Sequence, residues 1–592
     1  MLRYIFLLFA TCALHVFAVP VKPEWHSHKQ PDGTMLQVML CGDEHLHYYK
    51  TIDNVPLVRD SIGNFYYAQA LGFGITSTGV LAHNPEQRSE SEMVVISQEE
   101  DVRQLRRYSP RKSMPQQTRM QRMTKTRAIS DGKEKRGLVV MVSFTDRTFS
   151  SDTATVVWNN ILNAENFKGY GAYGSVHDYF LDQSYGQFNL KFDLAGPVQL
   201  PKSCYYYGQN NPINNDDIDI HMDELIVTAC KEIDKDINFK DYDWDGDGYV
   251  DQIFFLYAGW GEAVYGADSR LIWPHEYWLH GYKDYPFGLT LDGVIISHYA
   301  CGSEMSGREL VSKSLSGIGT FCHEFSHCLG LPDFYTYTGI DIMGEWDIMS
   351  GGNYNGDGWC PPNYLSYERE LCGWITPMVL DKPASIVDMK PLSDFGQAYK
   401  IVNDALDKSK DEYYLLENRQ KTGWDKFVPG HGMVVLHVDY DEEAWFYNTV
   451  NDVYSHPRMT IIPANNSYLS AKASGFAYPY LANDSLTDRS YPVAKVFNAN
   501  AKGKYMGKPI TKIREYDGLI AFDFMGGGVD SGIEDIHTDI SVWEGKAVEV
   551  YDMTGKKLYE LSSFSEDCLS KGNTYILRDK KGKTIKINKH YG

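Results

Sequence analysis

Two histidines four residues apart, with a glutamate directly after the first, constrain this chain more than anything else in it. The stretch reads His323-Glu324-Phe325-Ser326-His327-Cys328-Leu329-Gly330-Leu331-Pro332-Asp333. On a helix, positions i and i+4 share a face, so both imidazoles can address one cation. Ile318, Phe321, Cys322, Phe325, Cys328 and Leu329 recur at helical spacing. They predict a helix buried along that stripe, with the histidines on roughly the opposite face. Gly330 permits the left-handed turn that ends such a helix, and Asp333 can fold back as a third ligand. Three protein ligands leave one zinc position open, which separates a catalytic site from a structural one. Glu324 stands where a carboxylate can take a proton from water.

A short way on, Asp347-Ile348-Met349-Ser350-Gly351-Gly352 reads as a tight apolar-then-glycine turn carrying a methionine. Met349 is preferred to Met343 as the methionine of such a turn, because the glycine pair behind it suits a sharp turn. Glu345, Glu368 and Glu370 are rival third ligands. Glu345 has poor helix context, and the Tyr-Glu-Arg-Glu run at 367–370 reads as a solvated face, so Asp333 is the expected ligand. A second ion site is expected in Asp243-Trp244-Asp245-Gly246-Asp247-Gly248-Tyr249-Val250-Asp251. Asp243, Asp245, Asp247 and Asp251 occupy positions 1, 3, 5 and 9 of an EF-hand-type calcium loop. Position 12, Phe254, is not a glutamate, so the sphere is incomplete there. A structural role is expected for that Ca2+. His275, His298 and Tyr354 are read as structural, Tyr354 being also a candidate donor to the oxyanion.

Composition points to export. A basic start, an apolar run from Tyr4 to Phe17 and small residues at its end read as a signal peptide, residues 1–18, cut after Ala18. The run is too short to span a bilayer and no later stretch approaches that length, so no transmembrane segment is expected. Nine of the ten cysteines follow Ala18; outside the cell some should pair. Cys322 and Cys328 are expected as buried thiols. Residues 19–98 read as a small β-rich unit. From Val102 to Arg136 there are twelve Lys or Arg against two Asp or Glu, opposite in sign to the whole-chain net charge of −21. Without aromatic interleaving, this basic run does not imply nucleic acid. It reads as an activation linker, 99–136, with Arg127 and Arg136 as cleavable positions and a catalytic domain from 137 to 378. Short apolar runs among Gly, Pro, Asn and Asp clusters predict a β-sandwich over 379–525. After the linker-like Gly526-Gly527-Gly528, residues 529–592 read as a small C-terminal β domain.

The helix motif, the Asp347–Gly352 turn and Pro361-Pro-Asn-Tyr-Leu-Ser-Tyr-Glu-Arg-Glu-Leu-Cys-Gly-Trp374 together resemble the immune inhibitor A family of secreted bacterial metalloproteases. Arg136–Phe144 and Gly430–Asp439 extend the likeness, which covers roughly residues 30–525. The family implies an α+β multidomain architecture: a zincin or metzincin-like catalytic domain, an N-terminal propeptide and C-terminal β-sandwich domains. It further implies Zn2+ held by His323, His327 and Asp333, Glu324 as general base, and Met349 in the Met-turn. Most metzincins have histidine where this chain has Asp333. The last unit resembles C-terminal sorting domains of the Bacteroidetes type-nine secretion route. A secreted or cell-surface zinc endopeptidase is therefore expected, acting on protein or peptide substrates and inhibited by its own propeptide, through Cys41, Asp43 or sterically. The alternative is a catalytically inactive binding or adhesion protein that retains the fold.

Overall fold

A computed structural model of the chain describes residues 17–43, 47–71, 74–98, 133–211, 216–336, 343–453, 455–528, 545–551, 557–565, 568–569, 574–579 and 584–588. Most of the expected leader and the basic stretch with Arg127 lie outside these residues. No described helix is long and apolar enough to cross a membrane. The chain divides into two compact units: Met1–Asp381 with Val387–Ala521, and Lys382–Ile386 with Phe522–Gly592.

The larger unit begins at β1 (Phe17–Ala18). Then come β2 (His26–Lys29), β3 (Met35–Gly42), β4 (His47–Lys50), β5 (Pro56–Arg59), β6 (Phe65–Leu71) and β7 (Gly74–Leu81). β2 to β7 pair in chain order, each antiparallel to the next. The turn at Pro31-Asp32-Gly33 joins β2 to β3, with the Asp32 carboxylate accepting the Thr34 N–H at 3.0 Å. Leu36, Val38, Leu57, Phe65 and Tyr67 make the core of this sheet, and helix α1 (Glu90–Gln98) follows it.

A six-stranded sheet forms the centre of the unit. Its strands are β1, β8 (Glu134–Ser143), β9 (Asn189–Gln199), β10 (Ile253–Trp260), β11 (His275–Trp278) and β12 (His298–Met305). Their spatial order is β1-β11-β12-β10-β8-β9. β12, β10, β8 and β9 run parallel, whereas β11 is antiparallel to β12 and β1 antiparallel to β11. The β8 run Leu138–Val142 is apolar without alternation because both of its faces are covered. Val139 and Met141 face the core beneath the histidine helix, while Leu138, Val140 and Val142 face the other. Helices α2 (Ala154–Asn163) and α3 (Val176–Gln183) contribute to the first core, and α4 (Met222–Ile233) to the second. At the start of α3, Ser175 and Asp178 form a reciprocal capping box.

The expected helix is α5 (Ile318–Cys328), followed by α6 (Ser366–Leu371). Phe321 stacks on Phe254 with centroids 3.9 Å apart. Contrary to a simple amphipathic reading, the histidine face is buried as well, because loops and the N-terminal segment close over it. Beyond it lie β13 (Met378–Val379), β14 (Ala398–Val402), β15 (Asp411–Arg419), β16 (Gly432–Tyr440), α7 (Glu442–Phe446) and β17 (Met459–Ile461). The five strands form one sheet in chain order. Val434, Leu436 and Val438 of β16 share a core with Phe325 of α5, so this sheet and the histidine helix are built on common apolar packing.

Three expectations need correction. Arg136 is the third residue of ten-residue β8, and its guanidinium bonds Asp193 and Asp241 at 2.8 and 2.7 Å. A bond fixed inside a strand is a poor cleavage point, since a protease needs the chain locally free. No disulfide joins any of the nine described cysteines. Cys322 and Cys328, six helical residues and thus about 9 Å apart, exceed the reach of a disulfide. Glu368 is fully buried, not on a solvated face, and accepts the Leu365 N–H at 2.6 Å. Burial, then the neighbouring Asp347, push its carboxyl well up.

In the smaller unit, β18 (Val548–Tyr551), β19 (Lys557–Leu561), β20 (Thr574–Asp579) and β21 (Thr584–Asn588) form an antiparallel sheet in the order β19-β18-β20-β21. Val548, Val550, Phe564, Leu569, Tyr575 and Leu577 are its core.

Candidate metal centre

The helix and the turn behind it bring His323, His327 and Asp333 together. One donor atom from each lies within 4.8 Å of the others. Asp333 Oδ1 stands 3.2 Å from His323 Nε2 and 3.4 Å from His327 Nε2. Gly330, at φ +91°, makes the left-handed turn that returns the chain. Each ring is set by its other nitrogen: Nδ1 of His323 lies 2.7 Å from the Ile348 carbonyl, and Nδ1 of His327 2.7 Å from that of Leu331. Donation to those carbonyls places the proton on Nδ1 and turns the Nε2 lone pairs towards Asp333. Two imidazole nitrogens and one carboxylate oxygen, buried and convergent, are a donor set that fits zinc.

Met349 is buried in the turn that His323 touches. Its carbonyl accepts the Phe334 N–H at 2.8 Å, and its N–H meets Asp347 Oδ1 at 3.0 Å. One short turn therefore holds both His323, through Ile348, and the residue after Asp333. Gly319 lets helix and loop meet: a Cβ there would lie 1.8 Å from the Asn353 carbonyl oxygen.

Asn448 escaped the reading of the sequence. Its side-chain amide donates to Asp333 Oδ2 at 2.5 Å, and its Oδ1 accepts the Asp333 N–H at 2.7 Å. Asn451 likewise donates to the Phe334 carbonyl at 2.8 Å. No local pattern marks either residue, because they reach the site only through packing of the β16–β17 connection.

Glu324 is buried, and its Oε1 accepts the backbone N–H of Val19 at 2.8 Å. Tyr354 stands nearby and donates to the Pro20 carbonyl at 2.7 Å. Neither Cys41 nor Asp43 joins the three donors. Cys41 Sγ meets the Tyr48 carbonyl at 3.2 Å, and Asp43 accepts from Tyr335 at 2.7 Å. His275 and His298 begin strands β11 and β12.

In the acidic loop, Asp243, Asp245 and Asp247 converge within 4.8 Å. Gly246 and Gly248 turn there at φ +76° and +88°. Asp251 does not join them: it is buried and its carboxylate accepts the Trp244 N–H. The four-carboxylate expectation thus becomes three converging groups and one that braces the loop.

Residues 131–371 match the family described as immune inhibitor A peptidase M6, catalytic domain. That span holds the six-stranded sheet except β1, together with α5, the Met349 turn and the acidic loop. The chain is 29% identical over 242 residues to the pre-pro-metalloprotease PrtV of Vibrio cholerae, covering 35% of this chain and 24% of that protein. It is 26% identical over 216 residues to immune inhibitor A of Bacillus thuringiensis subsp. alesti, covering 33% and 31%. The chain thus spans less than a third of the length of these relatives.

Proposed function

We propose that this protein is a secreted, zinc-dependent endopeptidase made as a zymogen. The observation that carries the reading is the convergence of His323, His327 and Asp333 beside the buried carboxylate of Glu324. A zinc ion at those donors supplies Lewis acidity to the carbonyl and to water. Glu324 takes the proton from the attacking water and passes it to the departing nitrogen. A peptide nitrogen can reach it, since that of Val19 does. β11 has one edge available to an extended peptide, the edge that β1 occupies here. Met349 floors the site. The Asp243, Asp245 and Asp247 carboxylates hold Ca2+, which staples their loop to the end of β10. Residues 1–18 direct export, the region up to residue 98 keeps the enzyme latent, and the basic stretch beyond it is cut on activation. The C-terminal sheet is a sorting domain.

The test is hydrolysis of denatured casein by the processed protein, with and without a chelator, beside Glu324→Ala. Activity is expected to vanish with chelator, return with zinc, and be absent in the variant. Activity surviving in Glu324→Ala would remove the mechanism, and a folded, zinc-loaded but inert wild type would favour the adhesion alternative.

A further inference from the structure

Away from the metal donors, a cavity of about 500 Å³ opens where α2, the end of β12 and the approach to α5 meet. Small-ligand sites typically hold about 300–1,000 Å³. Trp158, Tyr170 and Trp359 give the cavity aromatic walls, and Glu304 lines it beside them. Trp359 is buried and stacks on the exposed Tyr170 with ring centroids 5.1 Å apart. Glu304 is only 1% exposed. Its Oε1 accepts the Ser150 N–H at 2.8 Å and the Ser150 hydroxyl at 2.6 Å, and its Oε2 the Gly259 N–H at 3.3 Å. These neutral donors orient the carboxylate without balancing its charge. Among the described residues no Lys, Arg or His nitrogen lies within 4.0 Å of it. Lys313 borders the cavity but is exposed, and Arg147 is taken by Glu309 at 2.5 Å. Trp158 Nε1, also buried, meets no acceptor among the described residues.

From this we infer that the cavity binds an organic cation, a primary ammonium or a guanidinium, between the Glu304 carboxylate and the aromatic rings of Trp359 and Tyr170. A buried charge is costly until an opposite charge meets it. An aromatic face within about 6 Å attracts a cation through its quadrupole, and more strongly once water is excluded. The cavity supplies both attractions. A bare metal ion fits less well: among the described residues Glu304 is the one His, Cys, Asp or Glu side chain on the wall, whereas calcium takes about six to eight oxygens. An anion would meet the wrong charge. The Trp158 N–H calls in addition for an oxygen, which a lysine or arginine residue of a peptide carries on its carbonyl and a free amine lacks. His323, His327 and Asp333 do not line the cavity, so the inference goes beyond the peptidase reading and does not depend on it.

Isothermal titration of the processed protein tests this, with a zinc chelator present so that no peptide is hydrolysed. One arm compares n-butylammonium with n-butanol, the other an end-blocked Ser-Gly-Lys-Gly-Ser peptide with its norleucine counterpart. Each cation is expected to bind saturably and at least tenfold more tightly than its neutral partner. Glu304→Gln, which keeps the shape and removes the charge, should weaken the binding at least tenfold. Tyr170→Ala, which removes an exposed ring, should weaken it at least threefold with an unchanged melting temperature, and it carries the test if Glu304→Gln does not fold. Tighter binding by the lysine peptide than by n-butylammonium would assign the site to a cation borne on a protein, and equal binding to a free amine. Neutral partners that bind as well as the cations would overturn the inference, as would the absence of any saturable binding. Binding undiminished in folded Glu304→Gln, or in Tyr170→Ala should the first variant not fold, would overturn it equally.

Discussion

Replacing Asn448 by alanine removes both hydrogen bonds that hold Asp333 from outside its own loop, at 2.5 and 2.7 Å. The bond to the backbone N–H is a neutral one, about 1 kcal/mol, and the one to the carboxylate is charge-assisted, about 1.5–3 kcal/mol. Both groups are buried, so water does not simply replace the amide. Part of this loss falls on overall stability. The rest falls on the cost of placing Oδ1 beside the two Nε2 atoms, and partners of a ligating carboxylate typically contribute about 10–100-fold in metal affinity. Asn448→Ala should therefore bind zinc about 10–100-fold more weakly in competition with a chromophoric chelator. Asn448→Asp retains the acceptor for the Asp333 N–H but sets a carboxylate against a carboxylate, and should be worse than alanine. Thermal melts of the metal-free proteins separate general destabilisation from loss at the site. Zinc affinity within twofold of wild type in both variants would refute the reasoning.

Other consequences can be checked as directly. Gly319→Ala drives a methyl group to 1.8 Å from the Asn353 oxygen. Overpacking of this kind costs about 1–3 kcal/mol, so a lower melting temperature is expected together with weaker zinc binding; an unchanged melt would count against the close contact. With calcium at about a hundred times its dissociation constant, wild type should gain about 2.7 kcal/mol of stability over the chelated protein. Asp243→Asn should lose that difference, and a calcium effect that survives in the variant would rule out this loop. His83 bonds Glu92 at 2.7 Å and Asp32 at 2.8 Å. Burial opposes its charge, but the two carboxylates, Glu92 first, raise its pKa above the ordinary 6.5. A raised pKa means that its contribution is complete below pH 6.5 and fades as pH climbs through the folded value. The stability gap between wild type and His83→Gln, measured by denaturant unfolding, should shrink from pH 6 to pH 8.5; a constant gap would show that His83 does not titrate in this way.

Much of the site was legible because its signals are local. His323, Glu324, His327, Gly330 and Asp333 lie within eleven consecutive residues, and helical spacing with one left-handed turn suffices to bring them together. The apolar runs of β8 and β10 are uninterrupted because both faces of each strand are covered. Environment was not legible. The Tyr-Glu-Arg-Glu run has the composition of a solvated face, yet Glu368 is buried beside Asp347. Arg136 is exposed, as a basic cleavage site would be, yet strand pairing and two carboxylates fix it.

The order of residues alone thus determined which atoms could grip a metal and which carboxylate stands beside them, since a single helical turn and its return span the whole donor set. Only the tertiary structure decided what surrounds that set: Asn448, from 115 positions away, holding Asp333, and Val19, from 305 positions away, resting on Glu324. Such pairings depend on how a shared core draws sheets and loops together, and no spacing along the chain records that.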